Sequence, residues 1–372
     1  MLSKDIKWMN IALRLADRNI GNVYPNPSVG CLIIKNDRVV GRGWTQLGGR
    51  PHAEAMALRQ AGSNAKGATV YSTLEPCSHF GQTPPCCDAL IGAGIKRLVG
   101  GMRDPDPRVN GNGFLKLRKA GIEVTDGIQE GLAIELNNGF VSKIKNKTPI
   151  VTLKLATSID SKISTKMGES KWITGNQARH SVHFQRSRHD AILTGIGTVI
   201  ADDPMLNCRL KGLENRSPVR VILDTKLKIS AKNQIASSAA EYETIVFTTN
   251  EAKHRKQVQL EKLGIKIERI EMDKNGRVLI NSVLATLADN GITSVLVESG
   301  GQLAAEFIRL NLVDYLLVYC APIVIGGDGG DAIASVGLNK LDMAFPFERI
   351  KTENLGIDLL ETVSYTHLRA HE

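Results

Sequence analysis

Two short segments contain the residue types that could perform chemistry together. The first reads Pro-His-Ala-Glu over residues 51–54, and the second reads Pro-Cys-Ser-His-Phe-Gly-Gln-Thr-Pro-Pro-Cys over residues 76–86. The imidazole of His52 and the thiolates of Cys77 and Cys86 form a ligand set for Zn²⁺ that leaves a fourth position for water. Zinc lowers the pKa of such a water, and Glu54 is suited to pass its proton to a leaving amine. We therefore predict a hydrolytic zinc site in which Glu54 is the general acid/base and not a ligand.

The two segments resemble the zinc deaminases that act on nucleobases, whose motif is His-x-Glu followed by Pro-Cys-x-x-Cys. Here the second segment is longer and ends in two prolines, a form that is similar to the deaminase half of the bifunctional riboflavin-pathway deaminase/reductases. In that family a matching asparagine lies in the pyrimidine pocket, so the resemblance implies that Asn26 binds substrate. The residues alone leave other readings open: an Asn-Pro turn before a strand, and buried cysteines beside a core histidine.

A chain of 372 residues is too long for one ordinary core, and its length predicts two domains. We place a zinc-dependent pyrimidine deaminase domain at residues 1–146 and an NADPH-dependent reductase domain at residues 147–363. The polar, proline-ended segment 143–149 is the expected linker. We expect residues 364–372 to form a tail that is disordered or was added by cloning.

The composition argues against several classes of protein. The net charge is +9, but the basic residues are scattered and only 5% of residues are aromatic, which argues against a nucleic-acid surface. No apolar run is long enough to span a bilayer. Six cysteines are too few for a disulfide framework, so we expect a cytoplasmic protein. Cys87, next to a predicted ligand, is expected to point away from the metal.

Hydrophobic periodicity predicts α/β structure in both halves. In the first half, the pattern predicts helices over 5–19, 52–60, 86–92, 114–120 and 129–145 and strands over 29–34, 39–44, 68–73, 96–102 and 122–125. His52 and Glu54 then both lie in the first turn of one helix, and Cys86 begins another. In the second half, it predicts strands over 150–156, 191–198, 219–224, 244–248 and 294–298 and a helix over 176–188. The family resemblance implies a cytidine-deaminase-like three-layer α/β/α domain followed by a dihydrofolate-reductase-like α/β domain.

The second half also contains segments similar to the reductase half of the same family, which uses NADPH. They are Lys-Leu-Ala-Thr-Ser-Ile-Asp-Ser-Lys at 154–162 and Asp-Asp-Pro-Met-Leu-Asn-Cys-Arg at 202–209. A Ser-Gly-Gly turn follows the strand predicted over 294–298, and backbone N–H groups at such a turn suit phosphate, although an ordinary strand-to-helix turn is the alternative. The turn is not Gly-x-Gly-x-x-Gly, which disfavours a Rossmann fold.

The resemblance implies two sets of contacts in the second half. The residues expected to contact NADPH are Ala156, Trp172, Thr198, Asp202, Ser299, Gly300, Gly301, Gln302 and Leu303. The residues expected to bind the phosphoribosyl substrate are Lys154, Ser170, Arg186, Leu206, Arg209 and Glu298. Arginine binds phosphate bidentately, although solvated surface charge is the alternative for both arginines. Lys154 and Asp202 are candidates for positioning or protonating the ring-opened sugar.

Together these features predict a bifunctional riboflavin biosynthesis enzyme with Zn²⁺ and NADPH as cofactors. It would deaminate 2,5-diamino-6-(5-phosphoribosylamino)pyrimidin-4-one to the aminouracil ribotide and then reduce the ribosyl group to a ribityl chain. We expect a small-molecule substrate, a homo-oligomer, and no nucleic-acid or membrane partner. One alternative is a zinc deaminase acting on tRNA or nucleosides. Another is a non-catalytic nucleotide sensor whose structural zinc has a fourth ligand, for instance Cys87 or His79.

Overall fold

The computed structural model describes residues 2–81 and 83–365, and the chain divides into two compact units. The first unit contains the residues up to Thr148 together with Ala288–Thr293. The second contains Pro149–Leu287 and the residues from Ser294 onward. None of the helices in the described residues combines the length and the apolar character needed to cross a bilayer.

The first unit is built on a five-stranded mixed sheet with the strand order β2-β1-β3-β4-β5. Its strands are β1 (Gly30–Lys35), β2 (Arg38–Trp44), β3 (Thr69–Leu74), β4 (Arg97–Met102) and β5 (Glu123–Thr125). Its helices are α1 (Leu2–Ala16), α2 (Ala53–Ala61), α3 (Cys86–Gly92), α4 (Asn112–Lys119), α5 (Glu130–Leu136) and α6 (Asn138–Asn146). β1 is antiparallel to β2 and β3, whereas β3, β4 and β5 are parallel.

Helices cover both faces of this sheet. On one face α1 approaches β1, where the carbonyl of Ala12 lies against Gly30. On the other face α2 approaches β2, where the carbonyl of Ala53 lies against Gly43. Gly43 is paired with Cys31, the neighbour of Gly30, and side chains alternate along a strand, so the two helices lie on opposite faces. The predicted three-layer arrangement is confirmed.

The single helix predicted over 129–145 was wrong, because the chain leaves helical geometry at Asn137 and forms α5 and α6 instead. The side-chain amide of Asn137 donates to Ser28 O at 3.0 Å and accepts from Ser28 N at 2.8 Å. A partner 109 residues away therefore interrupts a sequence that is otherwise helical.

The second unit contains a nine-stranded sheet with the order β11-β10-β9-β8-β12-β6-β13-β16-β15, and a two-stranded sheet, β14-β7. The strands are β6 (Ile150–Ser158), β7 (Lys162–Ser164), β8 (Ala191–Gly195), β9 (Val219–Leu223), β10 (Thr244–Thr248), β11 (Ile265–Arg269), β12 (Ser294–Glu298), β13 (Tyr315–Ala321), β14 (Gly330–Asp331), β15 (Phe347–Leu355) and β16 (Asp358–Tyr365). The helices are α7 (Asn176–Arg186), α8 (Ile196–Asp202), α9 (Gln234–Ser237), α10 (His254–Glu261), α11 (Ile280–Asp289, of which residues 280–287 belong to this unit) and α12 (Gly301–Arg309).

The centre of the large sheet is parallel, and β16 and β15 extend it with antiparallel pairing. Because parallel strands end at the same edge, the carboxyl ends of β6, β8 and β12 meet where ligands usually bind in α/β folds. The strand predicted over 191–198 was wrong at its end: β8 stops at Gly195, and Thr198 lies on α8. β16 includes Ser364 and Tyr365, which the sequence analysis assigned to the tail, and residues 366–372 lie outside the described residues.

Candidate functional site

His52 and Glu54 lie at the start of α2. His52 is the residue before the helix and has an extended backbone (φ −68°, ψ 158°), so its predicted place in the first turn was wrong. Glu54 lies in that turn and is 4% exposed. Asn26 packs against Gly49, three residues before His52; a Cβ on Gly49 would lie 1.9 Å from Asn26 Nδ2, and Gly49 has a φ of +84°. Only glycine suits that position, which keeps Asn26 against the segment leading to His52.

The two cysteines come from a loop and a helix start, as predicted. Cys77 precedes α3, and Cys86 is the first residue of that helix. The backbone N–H of Cys86 donates to Cys77 Sγ at 3.2 Å, and the N–H of Cys87 donates to Cys77 O at 3.2 Å. The Cys87 thiol contacts Pro76 O instead of the site, at 3.2 Å. These hydrogen bonds hold the loop that contains Cys77 against the first turn of α3, which contains Cys86.

Three possible ligand atoms converge at this point. His52 Nδ1 lies 3.3 Å from Cys86 Sγ and 3.7 Å from Cys77 Sγ, and all three atoms lie within 4.8 Å of one another. A tetrahedral zinc with bonds of about 2.0 Å to nitrogen and about 2.3 Å to sulfur places these atoms roughly 3.5 Å apart. The donor set therefore suits zinc. Among the described residues, no fourth His, Cys, Asp or Glu belongs to this group.

The protonation states of these residues depend on one another. A hydrogen bond from the Cys86 thiol, together with one from His52, lowers the pKa of Cys77 to about 4. The same hydrogen bond, together with burial, raises the pKa of Cys86 well above its usual range. A hydrogen bond to Cys77 raises the pKa of His52, and burial raises the pKa of Glu54. Zinc must displace the shared protons, which couples its binding to pH.

Glu75 supports the site, although the sequence analysis did not identify it. Its Oε1 accepts hydrogen bonds from the N–H groups of Gly113 at 2.8 Å and Phe114 at 3.2 Å. Its Oε2 accepts from Gly111 N at 2.8 Å and Asp104 N at 3.2 Å. Glu75 is two residues before Cys77, so it joins the loop of residues 104–111 and the start of α4 to the ligand segment. Its position as an acidic residue at the end of a predicted buried strand was the one feature of the sequence that could have indicated this role.

The second unit has a cavity of about 980 Å³ at the carboxyl edge of its large sheet. Most of the predicted reductase residues line it: Lys154, Ala156, Ser170, Trp172, Arg186, Thr198, Asp202, Leu206, Arg209, Glu298, Ser299 and Gly300. Gly301, Gln302 and Leu303 form the first turn of α12 and are not among the lining residues. The structure thus brings together residues that are up to 146 positions apart in the chain.

A buried ionic group lies at the wall of this cavity. Glu298 accepts hydrogen bonds from Arg186 Nε at 2.7 Å, Arg186 Nη2 at 3.0 Å and Lys154 Nζ at 3.4 Å. Burial disfavours the charged carboxylate, but the charges of Arg186 and Lys154 outweigh it and lower the pKa of Glu298 to about 2. The remaining Arg186 nitrogen, Nη1, donates to Asn207 O at 3.1 Å. All three nitrogens of Arg186 are therefore engaged within the protein.

The turn between β12 and α12 suits a phosphate of NADPH. Ser299 Oγ is buried and has no hydrogen-bond partner among the described residues. Gly300 leaves open space where a side chain would be, and α12 begins directly after it, with unpaired N–H groups at its positive end. An unpartnered hydroxyl beside a helix N-terminus is a suitable environment for an anion.

Other cavity residues form a polar rim. Ser170 Oγ donates to Asp202 Oδ1 at 2.9 Å, and Arg209 Nη1 donates to Asn207 Oδ1 at 2.8 Å. The Arg179 guanidinium lies over the exposed Trp172 ring, 4.7 Å from its centroid. Arg179 was missed because nothing in its sequence context marks it as a cavity residue.

Comparison with known proteins shows which chemistry these two sites belong to. Residues 2–102 match the cytidine and deoxycytidylate deaminase zinc-binding region, and residues 149–360 match the RibD C-terminal domain. The riboflavin biosynthesis protein RibD of Aquifex aeolicus is 40% identical, and the match covers 96% of this chain and 97% of that protein. The chain belongs to the RibD family. The structure of Acinetobacter baumannii RibD (form 1) has a TM-score of 0.90 and 37% identity, covering 98% of this chain and 100% of that one.

Another similar structure, from Thermotoga maritima, is described as a diaminohydroxyphosphoribosylaminopyrimidine deaminase/5-amino-6-(5-phosphoribosylamino)uracil reductase. It has a TM-score of 0.86 and 36% identity, covering 98% of this chain and 99% of that one. As a RibD family member, this chain is a bifunctional deaminase and reductase of riboflavin biosynthesis that uses zinc and NADPH. The predicted α/β fold class, the two activities and the two cofactors are confirmed.

Proposed function

We propose that the chain first deaminates 2,5-diamino-6-(5-phosphoribosylamino)pyrimidin-4-one and then reduces the resulting aminouracil ribotide with NADPH. The convergence of His52 Nδ1, Cys77 Sγ and Cys86 Sγ beside the buried Glu54 is the observation that carries the proposal. The description of the Thermotoga maritima relative supports this choice of substrates.

In the deaminase site, His52, Cys77 and Cys86 would hold zinc, which when bound supplies a water of lowered pKa. The Ser72 hydroxyl donates to Glu54 Oε1 at 3.3 Å, which orients the carboxyl group. Glu54 is buried beside the three ligand atoms, so it can take the proton of the attacking water and deliver it to the departing amine. Asn26 binds the pyrimidine.

In the reductase site, NADPH when bound supplies the hydride. Ser299 and the start of α12 bind a phosphate of the cofactor. Arg186 keeps Glu298 ionised and in place, and Lys154 Nζ, next to Glu298, hydrogen-bonds to the ring-opened sugar. Arg209 binds the substrate phosphate.

The test follows both products from one substrate. Zinc-loaded protein is given the diaminopyrimidine ribotide and NADPH, and ammonia release and NADPH oxidation are recorded. We expect equal amounts of both, and we expect Glu54→Gln to lose deamination by a factor of about 10² to 10⁴ while still reducing preformed aminouracil ribotide.

Glu130→Gln is the matched control, because Glu130 is an exposed glutamate in the first turn of α5. It should release ammonia at the parent rate. Unchanged deamination in Glu54→Gln, or a parent enzyme inactive on this ribotide, would contradict the proposal.

We also propose that the enzyme acts in the cytoplasm. All six cysteines are free thiols, which is the expected state in a reducing compartment. The homo-oligomer stays a prediction, which sedimentation velocity would check.

A further inference from the structure

Arg220 lies on β9 and is completely buried, with an exposure of 0%. Its guanidinium donates to neutral acceptors, namely the carbonyl oxygens of Met205, Ile235 and Tyr242 and the hydroxyl oxygens of Ser238 and Thr244. Burying a guanidinium is costly unless its N–H groups are hydrogen-bonded. The arginine therefore joins three segments of the second unit at one point, and one of them borders the reductase cavity.

That segment is the loop that follows α8. Arg220 Nη1 donates to Met205 O at 3.1 Å, and Arg186 Nη1 donates to Asn207 O at 3.1 Å. The residue between these two carbonyls, Leu206, has a φ of +53° and is 3% exposed. A leucine rarely adopts this left-handed conformation, and it persists only where the surroundings hold it. Two arginines supply that restraint, one on each side of Leu206.

We propose that Arg220 is a positioning residue of the reductase site, which keeps residues 205–209 in the conformation that binds the ribotide. The inference rests on the proposed function, in which Arg209 binds the phosphate of that substrate. Arg209 depends on the same loop geometry, because its Nη1 donates to Asn207 Oδ1 at 2.8 Å and its backbone N–H donates to His183 Nδ1 at 3.3 Å. Without Arg220 the Met205 carbonyl loses its donor, Leu206 relaxes toward negative φ, and the Arg209 side chain moves away from the substrate.

The test compares Arg220→Met, which keeps an unbranched side chain, with Arg220→Lys, which keeps a donor. For Arg220→Met we expect the KM for the aminouracil ribotide to rise about tenfold, because a misplaced binding group costs this much or more. The Kd for NADPH, measured by fluorescence titration, should change less than about twofold, since the turn at Ser299 is not part of the loop. Arg220→Lys should give an intermediate KM.

Val283→Ala separates positioning from loss of stability. Val283 is completely buried on α11, outside the loop, and its truncation lowers the melting temperature without touching residues 205–209. All variants are assayed at a temperature at which circular dichroism shows that they are folded. The deaminase activity of each preparation is used to determine its concentration of active enzyme. If Arg220→Met does not fold, Arg220→Lys gives the same comparison.

A selective rise in ribotide KM, absent in Val283→Ala, supports the inference. An unchanged KM in both Arg220 variants overturns it, as does an equal loss of ribotide and NADPH binding or an equal KM increase in Val283→Ala. The proposed function fails separately, if the parent enzyme does not oxidise NADPH in the presence of the ribotide.

Discussion

Replacing Glu298 with glutamine should destabilise the second unit and not the first. The side chain keeps its shape, but Arg186 and Lys154 lose the negative charge that compensates theirs. Both cationic side chains are largely buried, with exposures of 11% and 16%. Removing one partner of a buried ion pair leaves an uncompensated charge, which is usually far more costly than losing a surface pair.

The lowered pKa of Glu298 gives the size of the expected destabilisation. Its value of about 2, against an ordinary value of 4.5, corresponds to about 3 kcal/mol of stability. Because the pKa is lowered in the folded state, this stability is fully present above pH 4.5 and is lost as the pH falls toward 2. At pH 7 the variant should therefore lack about 3 kcal/mol that the parent retains.

Each unit can be measured separately by urea titration with hydrogen exchange and mass spectrometry. Peptides from β6 report the second unit, and peptides from β1 report the first. At pH 7 we expect Glu298→Gln to lower the free energy of unfolding seen by the β6 peptides and to leave the β1 peptides unchanged. Between pH 5 and pH 3 the difference between parent and variant should shrink.

Glu251→Gln is the matched control, because Glu251 pairs with Lys226 on the surface of the same unit, and the two side chains are 46% and 61% exposed. Such a pair contributes less than about 1 kcal/mol. If Glu298→Gln destabilises the second unit no more than Glu251→Gln does at pH 7, the buried ionic group does not stabilise the unit as argued.

Two further substitutions test the supports of the two sites. Glu75→Gln places an NH₂ group against N–H donors, so it should lower the free energy of unfolding of the first unit by about 2 kcal/mol. Hydrogen exchange of β1 measures this change. An unchanged free energy of unfolding would contradict the role of Glu75 in holding the loop of residues 104–111. In Gly301→Ala the new Cβ would lie 2.3 Å from Asp331 O, whereas in Gly300→Ala it meets nothing within 4 Å. Gly300→Ala therefore fills only the open space of the turn, and we expect it to weaken NADPH binding more than about tenfold in a fluorescence titration, because its methyl group would take the space of the phosphate. Unchanged NADPH binding in Gly300→Ala would argue against this turn as the phosphate site.

The ligand group of the first unit was predictable because its chemistry is local in the sequence. His52 precedes good helix formers, and Cys86 follows two prolines that favour a helix start, so both lie next to elements that the pattern predicts. The same reasoning misplaced His52 within the helix, because nothing in the residue pattern distinguishes a helix's first turn from the residue before it.

Other features depend on contacts between distant residues and could not be predicted. Asn137 interrupts a helical pattern because its amide bonds to Ser28, and Arg186 is engaged by Glu298, 112 residues away. The left-handed conformation of Leu206 is likewise stabilised from outside its own segment. Sequence spacing carries no information on such pairs. In a sequence, an arginine that binds phosphate cannot be distinguished from one that is buried in an ion pair.

X-ray absorption spectroscopy at the zinc edge of the active enzyme would identify the metal ligands directly. We expect one zinc per chain with two sulfur ligands, one imidazole nitrogen and one oxygen from water, and loss of the zinc in Cys86→Ser. A fourth ligand supplied permanently by the protein, or full deaminase activity in protein free of zinc, would contradict this expectation.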